Sequence, residues 1–298
     1  MTDRLSPQDL NDAQELLTEL FTAIRDEESL LSGGTELGTG GNALQGLRET
    51  KVSFGNPRND LIRLTKKLFD PVGVELTELR RRQMRDRFDF YYMTLTVSLR
   101  PRRGAQFTRV ECALDFGPKG ADEPIVQAIF PQGEWKTVLS WGGGMNLALN
   151  GNLDWMAQID VPGAVNLKDL PAHIRAHIAD KSELAAFVAV PDFSFKLGRT
   201  EIVATGQGNS ECFWRIETPG LKETQTIQFG VVFCVPKGTA SIELKGLVAA
   251  EPSMSWLVTN VRDVFEDLND KLRTPLRRRG KERLPIGDHE KWRITLPT

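Results

Sequence analysis

Two long stretches of the sequence alternate apolar and polar residues with a period of two. They span residues 89–159 and 193–249, and the alternation is typical of β-strands that bury one face. The clearest run puts five apolar side chains on one side of a strand, namely Tyr91, Met93, Leu95, Val97 and Leu99. Strands with one polar face are characteristic of antiparallel sheets. The sequence therefore predicts an α+β fold that is mainly antiparallel, either a sandwich or a pair of strongly curved sheets.

Helical patterns flank and interrupt the strands. Ser6, Pro7 and Asp9 form a helix start, followed by an apolar stripe and ended by Gly33. The glycine-rich run 33–46 predicts a flexible connector. Shorter helices are predicted over residues 60–69 and 75–87. A long amphipathic helix is predicted over 255–273, and a last edge strand over 292–296.

Two regions follow from this order of elements. Residues 1–88 form an N-terminal helical region with a glycine-rich linker. Residues 89–298 form a β-rich domain that includes inserted helices at 164–188 and the C-terminal helix at 255–273. Within it, residues 101–104 predict a hairpin turn between neighbouring strands. Residues 145–159 predict an amphipathic hairpin with its loop at 150–152.

Composition indicates an ordinary globular protein. The chain has 298 residues and a formal net charge of -2, so no overall positive field favours nucleic acid or an anionic membrane. The three cysteines, Cys112, Cys212 and Cys234, fall in predicted strands and are expected to be reduced and buried. The first residues are polar and predict no secretory signal, so we expect a cytoplasmic location.

Motifs that would indicate catalysis are missing from the sequence. His173 and His177 share a helix face, but no third zinc ligand is marked. The glycine-rich run 38–42 follows a helix and so lacks the context of a dinucleotide loop. Residues 208–212 lack the spacing of a nucleophile elbow, and a hairpin turn is the better interpretation. The sequence thus leans against enzymatic activity, and we expect no cofactor and no metal.

Aromatic and basic clusters are the candidate interaction residues. Three tryptophans lie close in sequence and would serve a core or a contact surface, and three arginines open a basic tail: Trp135, Trp141, Trp155, Arg277, Arg278 and Arg279. Further basic clusters occupy residues 80–87 and 100–103. On one face these clusters could bind phosphates, but 40 acidic residues offset them.

The first functional hypothesis is a non-enzymatic cytosolic binding or assembly protein that acts through macromolecular contacts. Its partner would be another protein or a second copy of the chain, and nucleic acid is disfavoured. One alternative is a membrane-active or pore-forming protein that is held soluble until triggered, so that membrane contact requires a conformational change. A second alternative is a hydrolase with a dispersed carboxylate site.

Overall fold

The computed structural model describes residues 4–32, 38–58, 61–66, 76–102, 104–130, 201–221, 225–261 and 284–298. These residues contain four helices: α1 (Pro7–Ser32), α2 (Thr39–Glu49), α3 (Glu78–Asp86) and α4 (Met254–Val261). They also contain ten strands: β1 (Lys51–Phe54), β2 (Leu61–Leu64), β3 (Phe88–Arg100), β4 (Phe107–Gly117), β5 (Ile125–Phe130), β6 (Glu201–Thr205), β7 (Glu211–Leu221), β8 (Gln225–Pro236), β9 (Ser241–Pro252) and β10 (Ile286–Thr295).

The strands form two antiparallel sheets of five strands each. The first sheet has the order β1-β3-β8-β5, with β2 also paired to β3. The second sheet has the order β10-β9-β4-β7-β6. In the first sheet, β3 and β8 pair continuously from Phe88 opposite Pro236 to Leu99 opposite Gln225. This is the longest strand pairing in the first sheet.

The two sheets pack face to face around one apolar core. Aromatic rings from opposite sheets are in contact. The distance between ring centroids is 5.0 Å for Phe116 and Phe233 and 4.9 Å for Trp214 and Phe229. The apolar faces that the sequence predicts for β3 and β8 are both buried in this core. On β8 the buried residues are Ile227, Phe229, Val231, Phe233 and Val235. The expectation of a mixed fold with packed antiparallel sheets is confirmed.

Helix α1 begins as the sequence predicts. The backbone N–H and the hydroxyl of Ser6 both donate to Asp9 Oδ2, at 2.8 and 2.6 Å, and the Asp9 N–H donates back to Ser6 Oγ at 3.3 Å. This reciprocal arrangement satisfies donors that a helix start leaves open. The predicted stripe of the helix is buried throughout: Leu10, Ala13, Leu17, Leu20 and Ile24.

Two expectations for the N-terminal region are wrong. Most of the glycine-rich run 33–46 that is described belongs to α2, and the helix buries Ala43, Leu44 and Leu47. Burial of these side chains outweighs the low helix propensity of glycine. Residues 61–64 form β2 instead of the predicted helix, because they pair with Phe90–Met93 of β3. The helix predicted over 75–87 is confirmed as α3.

The hairpin predicted around residues 101–104 is also wrong. Strand β3 is flanked by β8 on one side and by β1 and β2 on the other, so both of its edges are occupied. The chain therefore crosses to the second sheet, where β4 lies between β9 and β7. Residues 206–210, in contrast, form the turn of the hairpin β6–β7, so the interpretation of 208–212 as a hairpin turn that leads into a strand is confirmed.

Several expectations lie wholly or partly outside the described residues. The hairpin at 145–159 and the helices at 164–188 lie wholly outside them. Of the C-terminal helix, α4 is described and buries Leu257, while the rest of 255–273 is not. The edge strand predicted over 292–296 is confirmed as part of the longer β10. Strands β1 and β2 join the sheet of β3, and the division of the chain at residue 88 stays a prediction.

Candidate interaction surface

Helix α3 lies on the outer face of the first sheet. Thr77 caps it, since its hydroxyl accepts from the Arg80 N–H at 3.3 Å, and acidic Glu78 stands in the first turn. None of its residues is fully buried. Arg80 attaches the helix to the sheet, because its guanidinium lies 5.9 Å from the centre of the Phe90 ring and donates to Gln127 at 2.9 Å. The other side of the helix faces solvent.

A groove of about 360 Å³ separates α3 from neighbouring parts of the sheet. Its floor is apolar and consists of Leu64, Leu76, Met84, Phe88 and Phe90. This floor exists because β3 begins with apolar side chains on both faces, so that Phe88 and Phe90 point away from the main core. We call this depression the α3 groove.

The rim of the α3 groove is basic. Of the described residues that line it, one is acidic, Asp89, and five are basic: Arg63, Lys66, Arg81, Arg85 and Lys237. Asp89 accepts from Arg63 at 2.7 Å, and this hydrogen bond raises the pKa of Arg63. Lys237 donates to the backbone carbonyl of Arg85 at 2.6 Å and so fixes the end of α3. Positive charge thus surrounds the apolar floor.

Helix α3 also carries an exposed leucine. Leu79 is 63% exposed, and among the described residues Val203 is the other large hydrophobic residue that is exposed, at 39%. The acidic residues of α3 are engaged within the helix itself, since Glu78 pairs with Arg82 and Asp86 pairs with Arg85. Leu79 lies on the side of the helix away from Arg81 and Arg85. We therefore call the α3 groove together with the exposed Arg82 the α3 surface.

A second cluster of charges lies near the hairpin turn that leads into β7. Lys119 Nζ lies 2.6 Å from Asp115, 3.7 Å from Glu123 and 3.8 Å from Glu211, and it donates to the hydroxyl of Ser210. Ser210 in turn donates to Glu123, which holds the pKa of that carboxyl below its ordinary value. The cluster borders an open depression of about 520 Å³.

This arrangement does not activate Ser210 as a nucleophile. An activated serine needs a neighbouring base that accepts its proton. Lys119 donates to Ser210 and also pairs with Asp115 at 2.6 Å. A carboxyl group with a lowered pKa, such as Glu123, is a weak base. The cluster therefore connects the loop after β4 to the β6–β7 turn, which is a structural role.

Ion pairs on the outer face of the second sheet are structural as well. Arg109 bridges Glu217 at 2.8 Å and Glu251 at 3.2 Å across three strands. Arg215 donates to Glu111 at 2.7 Å, and the Glu111 side chain is 1% exposed. A buried carboxylate of this kind requires its partner, because an uncompensated buried charge is strongly destabilising.

The structure locates the residues that the sequence singles out. The candidate interaction residues Trp135, Trp141, Trp155, Arg277, Arg278 and Arg279 lie outside the described residues, as do His173 and His177. Cluster 80–87 lies on and just after α3 and contributes Arg81 and Arg85 to the groove. Of the arginine cluster at 100–103, Arg102 lies 3.7 Å from Glu49. The structure does not bring 80–87 and 100–103 together at the α3 groove.

Sequence reasoning missed the apolar floor and the basic residues from outside cluster 80–87. Arg63 and Lys66 lie on and just after β2, and Lys237 follows β8, so they meet α3 through the pairing of these strands with β3. The sequence does, however, contain one indication of the apolar floor. Phe88, Phe90 and Tyr92 share one side of β3, while Tyr91 and Met93 share the other. A strand with aromatic residues on both sides needs a cover over each face.

Comparisons with known proteins identify no family for this chain. No protein-family profile matches the sequence, and no curated protein matches it. One similar solved structure is Clostridium perfringens delta-toxin, with 12% sequence identity and a TM-score of 0.24. That alignment covers 55% of this chain and 73% of the toxin chain. A likeness at this TM-score supports no statement about fold or function.

Two further features are absent from the described residues. No described helix combines the length and the apolar character that crossing a bilayer requires. The same residues contain no cluster of three or more His, Cys, Asp and Glu side chains arranged to hold a metal ion.

Proposed function

We propose that this chain is a non-enzymatic, cytosolic binding or assembly protein, and that the α3 surface is where it contacts another protein. The observation that carries the proposal is the apolar floor of the α3 groove inside a basic rim. Its ligand is an acidic protein segment that also presents an apolar side chain. Acidic groups would meet Arg81, Arg85 and Lys237, and the apolar side chain would cover Phe88 and Phe90.

A protein partner fits this surface better than a nucleic acid does. Binding to nucleic acid depends on a series of Lys and Arg side chains that follow the phosphate backbone. Here the cations surround a depression with apolar side chains at its base. Apolar side chains add little to a phosphate contact, whereas buried apolar contacts contribute to the energy of protein interfaces. The formal net charge of -2 also gives no general attraction for polyanions.

The proposal is tested with a labelled peptide of alternating Glu and Leu residues, titrated with the full chain and followed by fluorescence anisotropy. We expect saturable binding that weakens as salt is added, because exposed charge pairs are screened. The double variant Arg82→Glu, Arg85→Glu should bind about tenfold more weakly, which corresponds to about 1.4 kcal/mol. Both side chains are well exposed, at 65% and 74%, so the fold should persist.

A matched control reverses two exposed cations elsewhere, Lys291→Glu and Arg293→Glu on β10. This control variant should bind the Glu/Leu peptide as the wild type does. Equal loss in both variants would mean that general charge, and not the α3 surface, attracts the peptide. A Lys/Leu peptide or a duplex DNA that binds as tightly as the Glu/Leu peptide would overturn the proposal in favour of another class of partner.

A further inference from the structure

Helix α3 covers part of the outer face of the first sheet without burying any of its own residues. Its nine residues include four arginines and two acidic residues, and none of the nine is fully buried. A helix this short is not stable alone in water, so it depends on its contacts with the sheet. Leu76, just before the helix, is buried on the floor of the α3 groove, and Arg80 adds a polar contact. Leu76 and Arg80 therefore attach the N-terminal half of α3 to the sheet.

The contact made by Arg80 reaches across neighbouring strands. Its guanidinium lies 5.9 Å from the centre of the Phe90 ring on β3 and donates to Gln127 Oε1 on β5 at 2.9 Å. Cys234 lies opposite Phe90 and Ile125, on the strand β8 between them. The Gln127 amide, whose Nε2 donates to Cys234 Sγ at 3.4 Å, therefore joins the helix to the thiol. We call the hydrogen bond between Arg80 and Gln127 the latch.

Positive charge opposes the position of α3 against the sheet. Burial lowers the pKa of Arg80, because its guanidinium is partly removed from water. Arg81 and Arg85 of the basic rim belong to α3, whereas the other three cations of the rim lie on β2, just after β2 and just after β8. Asp89 pairs with one of those three. Because like charges repel, an acidic segment in the groove would reduce this opposition.

The C-terminal end of α3 is joined to the sheet through backbone carbonyls. The N–H of Lys237 donates to the carbonyl of Arg87 at 3.1 Å, and its ammonium group donates to the carbonyl of Arg85 at 2.6 Å. Arg87 leads directly into β3, which begins at Phe88. Residues at the ends of elements absorb the backbone rotation of hinge movements. Rotation at Arg87 would lift the N-terminal half of α3 and leave the contacts of Lys237 in place.

We infer that α3 is a lid over the outer face of the first sheet, hinged at Arg87 and held closed by the latch between Arg80 and Gln127. When the latch opens, the N-terminal half of α3 leaves the sheet and the Cys234 thiol becomes accessible. An acidic segment contacts both the rim arginines of α3 and the apolar floor only when the lid is closed. Binding therefore favours the closed state, because a ligand shifts an equilibrium towards the state that it binds better. This coupling rests on the function proposed above, whereas the lid itself does not.

Alkylation of the native full chain with iodoacetamide tests the lid, and mass spectrometry of peptides identifies each labelled cysteine. Cys112 and Cys212 lie in the main core, at 0% and 1% exposure, and report unfolding of the whole chain. Cys234 is also buried, at 4%. It should nevertheless react at least about tenfold faster than the other two, because local opening costs less than global unfolding. Equal rates at the three cysteines would overturn the lid.

Two variants release the latch. Arg80→Met keeps an apolar side chain but removes the donor, and Gln127→Ala removes the acceptor. Each should raise the labelling rate of Cys234 at least about tenfold, because a hydrogen bond from a charged group is lost, and should leave Cys112 unchanged. Gln83→Ala is the matched control, since Gln83 accepts from the same guanidinium at 3.1 Å but belongs to α3 itself. Equal acceleration by Gln83→Ala would overturn the latch.

Hydrogen exchange separates movement of α3 from simple exposure of the thiol. A helix of this length does not persist away from the sheet, so its amides exchange when the lid opens. In Arg80→Met, the amides of α3 should exchange faster by about the factor measured for Cys234 labelling, while those of β3 and β8 keep their wild-type rates. Faster labelling with unchanged exchange in α3 would overturn the lid.

The Glu/Leu peptide tests the coupling. If the peptide binds only the closed lid, Cys234 labelling slows by the factor 1 + [peptide]/Kd, which is about tenfold when the peptide concentration is about ten times Kd. The variant Arg82→Glu, Arg85→Glu should show less protection at that concentration. A peptide that saturates the chain without slowing the labelling overturns the coupling and leaves the proposed function standing. A peptide that does not bind overturns the proposed function together with the coupling, while the latch variants still decide the lid.

Discussion

Three thiols lie inside the packed strands and are held in their neutral form by burial. Burial raises the pKa of Cys112 and Cys212 well above the ordinary value, and it raises the pKa of Cys234 from 9.0 to about 11. Cys234 lies on the outer side of the first sheet, where Gln127 donates to its sulfur at 3.4 Å. Because thiolates are the reactive form, these cysteines are expected to be inert while they are buried.

The raised pKa of Cys234 predicts a loss of stability in alkali. The unfolded chain releases the thiol proton near pH 9, but the folded chain holds it until about pH 11. The contribution of this thiol is therefore fully present below pH 9 and disappears as the pH rises through about 11. Urea unfolding at several pH values should show a steeper alkaline decline in the wild type than in Cys234→Ala, by on the order of 2 kcal/mol. Parallel declines would contradict this prediction.

At the scale of elements, signals close in sequence were predictable and those that depend on distant pairing were not. The capping box of Ser6 and Asp9 lies within three residues, and so does each period-two repeat of β3 and β8. Helix α2 was missed because its glycines disfavour a helix locally, while the burial of Leu44 and Leu47 that stabilises it depends on other elements. Strand β2 and the crossing from β3 to β4 likewise depend on which edges are already paired.

The candidate surface was likewise predictable only where its residues lie close together in the sequence. The arginines of α3 follow from the sequence, and so does the double-sided apolar start of β3. Arg63 and Lys237 reach the groove only because β2 and β8 pair with β3. No local pattern marks those two residues, so the basic rim could not be assembled without the register of the first sheet.

The cap of α1 allows a direct test of one local interaction. Ser6→Ala removes the hydroxyl that accepts from the Asp9 N–H and donates to its carboxylate. Loss of such a cap costs about 1 kcal/mol. Chemical denaturation should show a lower midpoint with an unchanged slope, since the core is not altered. Ser6→Thr keeps a hydroxyl and should recover most of the loss, whereas equal loss in both variants would assign the effect to something other than the cap.

The whole molecule combines a shared apolar core with segregated surface charge. Side chains of both sheets belong to one buried cluster, to which α1 and α2 also contribute Leu17, Ile24 and Leu44. A net charge of -2 conceals the contrast between the acidic α1 and the basic α3. The fold thus carries an acidic helix and a basic helix on sheets that share one core.

Because the core is shared, damage on one sheet should loosen the other. Phe233 belongs to the first sheet, and its ring touches Tyr91 on the same sheet and Phe116 on the second, at 5.7 and 5.0 Å between centroids. Phe233→Ala should cost about 3–5 kcal/mol through lost burial and a cavity. Native-state hydrogen exchange should then accelerate by a similar factor in β3 and β8 and in β4 and β9, since these strands open in one cooperative event. Acceleration confined to β3 and β8 would show that the sheets unfold separately, and Leu79→Ala, at an exposed position, should change exchange in neither sheet.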